Sequence, residues 1–418
     1  MALLFLCLIF GTGRTQKIEA AVPNVPESLE AESRLDTVGT DQETERAAVR
    51  EKKGQQEKEA GDTETDQAAA AQDELLAELD FDAIQQEVDS LLSSQQFSFA
   101  GTVRSLLQDG DPFRIFRAGN AVLSCAKTAF LAQKGLMKEL FLLVLAGAVL
   151  GSFSSLFEGK QVRDASFYMV YLLALALILK NFQSSGENLK AVITSLVAFM
   201  RILTPSYYLA AAAAGGASSA VMFYQMLLLV ILAVEKLLLA LVLPMIHIYL
   251  LIALVNDLSG EEILSHMTEL LETCVNGLLK SSLGVLVGMQ MIRNLIAPAL
   301  DSLRQMALWR TAGMIPGIGN AVNAVTELVA GSAVLIRNCF GVTAMLVLLA
   351  AGMVPAVQLL VSGLSFRLLA AAAQPVSDKR IAGCLAAAGK GYAMLLRLLL
   401  TVEVLFLLTI AILAGTFS

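Results

Sequence analysis

From about Leu140 to the C-terminus, long apolar stretches recur between short groups of charged or turn-forming residues. A helix that crosses about 30 Å of hydrocarbon needs roughly 20 mostly apolar residues. Six stretches come close to this length, at residues 140–157, 165–182, 217–234, 237–255, 342–366 and 398–415, and a weaker one lies at 278–292. Lipid offers the backbone no hydrogen-bond partner, and the stretches are continuous rather than alternating. The pattern predicts an all-α, polytopic integral membrane protein with about six to seven transmembrane helices.

Three further stretches are too polar for confident spans and too apolar for loops. They cover residues 190–203, 261–279 and 320–337. Polar backbone and side chains are tolerated at membrane depth only where protein or water covers them. We therefore expect interfacial or re-entrant helices in these places.

The chain divides into four predicted regions. Residues 1–21 have an apolar core followed by small residues, which indicates a signal peptide, and residues 22–72 form an acidic linker without enough apolar side chains to fold. Residues 73–138 contain apolar positions at helical spacing between acids, which indicates an amphipathic helical N-terminal region. This helix could pack within its own N-terminal domain or dock onto another protein. Residues 139–418 form the multi-span domain.

Charge and cysteine usage narrow the function classes. The net charge is −7 and comes largely from the linker, while clustered Lys and Arg on a soluble domain, as nucleic-acid binding requires, are missing from the sequence. The five cysteines have neither a C-x-x-C pair nor short spacings. The pattern therefore predicts no nucleic-acid partner, disulfide framework or zinc site.

The sequence offers few candidate residues for metal binding or catalysis. Glu262, His266 and Glu269 would share one face of a helix, where they could bind a metal ion or form an ordinary solvated surface. We expect the solvated surface, since His247 is the only other histidine. The sequence also lacks the G-x-x-x-x-G-K-[ST], G-x-S-x-G and H-E-x-x-H motifs. We therefore predict a protein that is not an enzyme and has no cofactor.

Charged residues inside apolar stretches are costly and are functional or paired by default. Glu235 and Lys236 interrupt one stretch, most simply as a turn between two helices. Glu403 lies within the last stretch, where it could reach an interface, face a water path or pair with Arg397 or another arginine. We expect Glu403 to matter for conduction or assembly rather than for bulk stability.

Two G-x-x-x-G spacings lie within predicted helices, at Gly147 with Gly151 and at Gly284 with Gly288. Small residues at this spacing let two helix backbones approach closely. They favour tight helix packing, and self-association to a lesser degree.

Two C-terminal motifs carry a resemblance to a known family. Residues 308–341 combine a basic residue, a Pro and Gly turn and a second basic residue, and residues 371–391 contain a QP-x-x-D-x-R arrangement. The residues that match are Arg310, Pro316, Gly317, Gly319, Arg337, Gln374, Pro375, Asp378 and Arg380. Together with the order of signal peptide, linker, amphipathic region and multi-span body, these motifs resemble the stage III sporulation protein AE family of endospore-forming bacteria.

The resemblance implies a permease-like membrane subunit of a transenvelope channel that links mother cell and forespore and is required for forespore development. It implies a location in the mother-cell-derived outer forespore membrane. Partners would be an ATPase-like subunit, ring-forming subunits and a forespore membrane protein across the intermembrane space. The matched residues and Glu403 are then candidate assembly residues. The alternative is an autonomous secondary transporter for a small solute, which broken helices favour and the lack of an internal repeat disfavours.

Overall fold

The computed structural model describes residues 80–92, 97–109, 119–154, 160–213, 219–259, 263–312, 319–375 and 377–415. The predicted signal peptide and acidic linker lie outside these residues. Every regular element within the described ranges is a helix, and long apolar helices predominate. The prediction of an all-α polytopic membrane protein is therefore confirmed.

The helices are named in chain order. They are α1 (Phe81–Leu91), α2 (Phe99–Asp109), α3 (Gly119–Ser154), α4 (Lys160–Ala213), α5 (Ser219–Leu237), a π segment (Leu238–Val242), α6 (Leu243–Ser259), α7 (Ser265–Ala312), α8 (Gly319–Ala373) and α9 (Lys379–Gly415).

Five helical segments in the described part of the chain are long and apolar enough to cross a membrane. They are Phe167–Ser206, Leu228–Ser259, Ser265–Met289, Val334–Ala373 and Lys379–Ala411. The sequence predicted six to seven spans partly because it divided residues 217–255 into two helices. Residues 219–255 lie instead in α5, the π segment and α6, which follow one another without a turn.

Pro244 explains the irregular step between α5 and α6. Proline has no N–H group and cannot donate to the carbonyl four residues earlier, and the Leu243 N–H bonds to the carbonyl of Leu238, five residues earlier. This turn of the helix therefore contains one extra residue and is wider, but the chain stays helical. The predicted turn at Glu235 and Lys236 is wrong, because both residues lie in the last turns of α5.

The predicted interfacial or re-entrant stretches are not separate elements either. Residues 190–203 lie inside α4, most of 261–279 forms the start of α7, and 320–337 forms the start of α8. Backbone hydrogen bonds continue through these polar sequences because helix formation is cooperative. Polarity alone did not break the helices.

Contacts between helices fix their directions. Glu403 of α9 packs against Gly352 of α8, and Tyr392 packs against Gly363, so these two helices are antiparallel. They form the most extensive helix pair in the described structure. At their closest approach, a Cβ on Gly363 would lie 3.2 Å from the Cβ of Tyr392.

Helices α3, α4, α6 and α7 pack against this pair. Tyr171 at the start of α4 donates a 2.6 Å hydrogen bond to the carbonyl of Leu254 near the end of α6. Phe182, further along α4, contacts His247 at the start of α6, so α4 and α6 are antiparallel. Together with α8 and α9 they form a bundle in which successive membrane-spanning helices alternate in direction.

The amphipathic N-terminal helices pack against the membrane-spanning helices of the same chain. Helix α1 contacts α4, and α2 contacts α8. The ring of Phe99 lies 5.0 Å from that of Phe340, and Ile84 and Val88 are fully buried. Gln85 joins the two helices by accepting a 2.8 Å hydrogen bond from the N–H of Phe99 and donating to the carbonyl of Phe97. The apolar stripe of α1 is thus covered within this chain.

The two glycine motifs differ in their surroundings. A Cβ on Gly147 would lie 3.0 Å from a methyl group of Val170, so α3 and α4 approach closely there as the motif predicts. A Cβ on Gly284 or Gly288 would have no described atom within 4 Å. Within the described structure, close packing is therefore observed at Gly147 but not at Gly284 or Gly288.

Candidate functional site

A hydrogen-bond network joins α4 to α9 in the middle of the bundle. Asn181 donates a 2.7 Å hydrogen bond to the hydroxyl of Tyr392, and the Ser185 hydroxyl lies 3.2 Å from the same oxygen. Ser185 also donates to the carbonyl of Asn181. Tyr392 is fully buried and lies near the centre of the candidate span Lys379–Ala411. A polar group at this depth must find a protein partner, and Tyr392 has found two.

Aromatic rings and a histidine enclose the network. The ring of Tyr392 stacks on Phe366 at 5.2 Å and meets the edge of Phe182 at the same distance. His247 lies behind Phe182, with 5.3 Å between the ring centroids, and its Nδ1 is 2.9 Å from the carbonyl of Leu243. The imidazole reaches this place because Gly186 has no side chain, and a Cβ there would lie 2.6 Å from Nε2.

A charged network continues from α9 to α7. The Lys390 ammonium group lies 2.5 Å from Oε2 of Glu272, and Arg397 Nη1 lies 3.9 Å from Oε1 of the same carboxylate. Arg397 also donates a 3.1 Å hydrogen bond to Asn276. Lys390 lies 5.9 Å from the centre of the Tyr249 ring. The Lys390 and Arg397 side chains are about half exposed, so this network reaches the surface of the bundle.

The exposed face of α4 is polar at the level of Asn181 and Ser185. Gln183 donates a 3.2 Å hydrogen bond to Glu187, and both are exposed. We call the exposed polar residues on this face the α4 stripe, which consists of Lys180, Gln183, Ser184, Glu187, Asn188 and Lys190. The stripe lies inside the candidate span Phe167–Ser206. As a helix, these 40 residues span about 60 Å, roughly twice the hydrocarbon thickness, so the segment extends beyond the hydrocarbon core. Hydrocarbon is a poor environment for the stripe, so water, lipid headgroups or protein must meet it.

These groups form one band across the bundle, which we call the polar belt. It consists of the α4 stripe together with Asn181, Ser185, His247, Glu272, Asn276, Lys390, Tyr392 and Arg397. Both of its ends are exposed, one on α4 and one between α7 and α9. Its polar and charged side chains can bind water or contact a polar partner.

The polar belt does not form a metal site within the described part of the chain. The described residues contain no group of three or more His, Cys, Asp or Glu that could hold a metal ion. Of the metal candidates considered from the sequence, Glu262 lies outside the described residues, while His266 and Glu269 are exposed near the start of α7.

Of the residues predicted from the first C-terminal motif, the structure describes the surroundings of Arg337 alone. Arg310 and Gly319 lie on α7 and α8, with side-chain surroundings outside the described part, and Pro316 and Gly317 lie outside it altogether. Arg337 is only 1% exposed on α8, near the end of the bundle that α2 covers. Their role in assembly stays a prediction.

The second motif forms the connection between α8 and α9. Gln374 and Pro375 are exposed in the turn. Asp378 accepts a 3.0 Å hydrogen bond from the backbone N–H of Arg380, as a residue that caps a helix N-terminus does. The Arg380 guanidinium lies 5.4 Å from the Phe167 ring and 3.5 Å from the carbonyl of Leu258. Within this chain, the motif therefore ties the start of α9 to α4 and α6.

Sequence reasoning placed Glu403 correctly inside a span but missed most of the polar belt. Glu403 is 8% exposed and packs on Gly352, away from the belt and from Arg397. Two features of the sequence could have revealed the belt. One is the polar interruption at residues 180–190, and the other is the seven-residue spacing of Lys390 and Arg397, which places both on one face of α9.

The buried network gives a direct prediction. Tyr392→Phe should lower the free energy of unfolding by about 0.6 kcal/mol and by no more than about 1.7 kcal/mol, the average and the largest value measured for hydrogen bonds between membrane helices. The loss arises because Asn181 keeps its donor but loses its acceptor. Thermal unfolding in detergent would measure it, with Tyr168→Phe as the matched control, since Tyr168 is exposed on α4. Equal stability of the two variants would contradict the network's role.

Comparison with known proteins gives consistent results. A family model described as stage III sporulation protein AE matches residues 97–416, about three quarters of the chain. The stage III sporulation protein AE of Bacillus subtilis (strain 168) is 22% identical over 291 residues, which cover 69% of this chain and 73% of that protein. No solved structure matches. The family match extends from α2 through α9 and supports a role in sporulation, and on this evidence the chain belongs to the stage III sporulation protein AE family.

Proposed function

We propose that the chain is a permease-like membrane subunit of a transenvelope channel that links mother cell and forespore and is required for forespore development. Its site of action is the mother-cell-derived outer forespore membrane. Its partners are an ATPase-like subunit, ring-forming subunits and a forespore membrane protein across the intermembrane space. It acts through assembly and conduction rather than through covalent catalysis.

The polar belt is the observation that carries this proposal. A charged side chain that faces lipid is costly, by about 2.5–3.5 kcal/mol at the centre of a membrane helix on insertion scales, so an isolated bundle would gain by replacing such exposed charges with apolar residues. The α4 stripe and the Glu272, Lys390 and Arg397 network instead present charges at both sides of the bundle. Such surfaces suit a subunit whose neighbours or whose water path cover them.

The proposal predicts a selective functional defect. In a sporulating host that lacks the native chain, the double variant Gln183→Leu and Glu187→Leu should reach normal membrane abundance but fail to support late forespore gene expression. Leucine makes this face compatible with lipid and unable to contact water or a polar subunit. A forespore reporter and a membrane immunoblot from the same cells measure both quantities.

The control is the double variant Leu172→Ala and Leu173→Ala, which changes exposed apolar residues on the same helix. It should support normal reporter expression. Normal expression in the α4 stripe variant at normal abundance would show that this face meets lipid, which contradicts the proposal.

An autonomous secondary transporter remains the second candidate because of the π segment. Broken helices near the middle of a membrane often build substrate sites in transporters, and the π segment follows Glu235, whose carboxylate lies 3.8 Å from Arg201.

A transporter would work alone, whereas a channel subunit should be isolated with other proteins from sporulating cells. Cross-linking through Ser184→Cys on the α4 stripe distinguishes the two. A cross-link to a second protein supports the channel subunit, and its absence together with solute uptake by the purified chain supports the transporter.

A further inference from the structure

Glu403 has an unusual environment for a carboxyl group. Its side chain lies in the candidate span Lys379–Ala411 and is 8% exposed. Its Oε1 atom has no hydrogen-bond partner among the described residues, and none of the described ion pairs includes Glu403. The carboxyl group is thus buried without a cation.

Glu403 packs against the backbone of α8 at a glycine, where no side chain intervenes. The carboxyl group occupies the space where a Cβ of Gly352 would lie, so it rests directly on the peptide backbone of α8. Three residues later, Pro355 lies inside the same helix. Since proline has no N–H group, the carbonyl of Ala351 lacks its normal helical donor. The acceptor that Pro355 leaves without its normal helical donor therefore lies on the peptide bond that joins Ala351 to Gly352.

None of the described ion pairs links Glu403 to a charged group on a surrounding helix, including Lys127, Lys134, Lys138 and Glu139 of α3, which packs against α8. Arg201 on α4 pairs with Glu235, and Arg397 on α9 turns toward Glu272 on α7. Arg367 on α8 packs over Gly389, and Asp257 on α6 packs against Gly383. A neutral carboxylic acid needs no cation, and it supplies a donor where α8 lacks one.

We propose that Glu403 is a proton-binding site of the membrane-spanning bundle. With its proton bound, the Glu403 hydroxyl donates a hydrogen bond to the Ala351 carbonyl that Pro355 leaves free. Loss of the proton removes this donor and places a negative charge against carbonyl oxygen, which weakens the packing of α8 against α9. The packing of the most extensive helix pair in the described structure therefore depends on one bound proton.

A carbodiimide that partitions into membranes tests this site. Such reagents add to protonated carboxyl groups in apolar surroundings, where the carboxyl proton passes to the reagent's nitrogen and the carboxyl oxygen bonds to its central carbon. Treatment of the full-length chain in liposomes at neutral pH with dicyclohexylcarbodiimide should modify Glu403, located by peptide mass spectrometry. Glu235 and Glu272, which are paired with cations, should remain unmodified.

A water-soluble carbodiimide with an added amine gives the opposite test. It should leave Glu403 unmodified, because the group is buried from water. Modification of Glu403 by the water-soluble reagent alone, or by neither reagent, would overturn the proposal. The wild-type chain suffices for these outcomes, so they do not depend on the folding of a variant.

Infrared spectroscopy tests the hydrogen bond. The wild-type chain should show a carbonyl stretching band from a protonated carboxyl group that disappears in Glu403→Gln and persists in Glu235→Gln. Pro355→Ala restores an N–H donor for Ala351, so the Glu403 band should shift to higher frequency as its hydrogen bond weakens. A band that survives Glu403→Gln would overturn the bound proton, and an unshifted band in Pro355→Ala would overturn the assignment of Ala351 as the acceptor.

Discussion

Gly352→Val is expected to lower the free energy of unfolding of the bundle by about 1–3 kcal/mol, the usual cost of extra methyl groups in a well-packed interior. The new side chain would occupy the space that the Glu403 carboxyl group fills. Either the carboxyl group leaves its place on α8, or α8 and α9 separate. Thermal unfolding of the purified chain in detergent and its abundance in membranes should both report the loss.

A second substitution sharpens this prediction. Glu403→Ala removes the carboxyl group, so Gly352→Val combined with Glu403→Ala should recover much of the stability that Gly352→Val alone loses. The matched control is Gly284→Val, because a Cβ at Gly284 meets no described atom within 4 Å. If Gly284→Val is as harmful as Gly352→Val, the effect belongs to helix glycines in general. If Glu403→Ala gives no recovery, the close contact is not its cause.

Lys390→Glu should be the most damaging change in the polar belt. It places a second carboxylate beside Glu272, where the Lys390 ammonium now lies 2.5 Å away. Breaking a buried ion pair costs about 3–5 kcal/mol. Because the Lys390 side chain is half exposed, solvent screening reduces the expected loss to about 1–3 kcal/mol. We expect lower membrane abundance and a loss of late forespore gene expression.

Charge reversal at both positions should restore part of this loss. Glu272→Lys combined with Lys390→Glu recreates an ion pair, but the new lysine would lie close to Arg397, which now lies 3.9 Å from Glu272. Lys280→Glu is the matched control, since Lys280 is exposed on the same helix as Glu272. Equal damage by Lys280→Glu would assign the defect to net charge rather than to the network.

The length and continuity of the apolar stretches were sufficient to predict the fold class. Backbone groups in lipid must bond internally, so a long apolar stretch leaves the helix as its simplest structure. The amphipathic pattern of residues 81–91 likewise predicted α1, whose buried positions Ile84 and Val88 lie one turn apart. These features are local, because they depend only on the spacing of side chains along one helix.

Helix boundaries were less predictable. Glu235 and Lys236 are polar and were interpreted as a turn, yet they lie in a continuous helix beside Arg201 of α4. Pro244, which breaks the regular hydrogen-bond pattern, widens the helix instead of ending it. Neither feature ended the helix, and a single sequence does not reveal which helices are neighbours.

By itself, the sequence determined that this protein is helical and membrane-spanning, and its two C-terminal motifs indicated the family. Only the tertiary structure decided which polar residues meet. Tyr392 and Asn181 are 211 residues apart, and Lys390 meets Glu272 across a gap of more than 100 residues. Glu403 stood out in the sequence as a charge in a span, but its contact with Gly352 depends on the close antiparallel packing of α8 and α9. Spacing along the chain sets the face of a helix on which a residue lies, whereas helix packing determines what that face contacts.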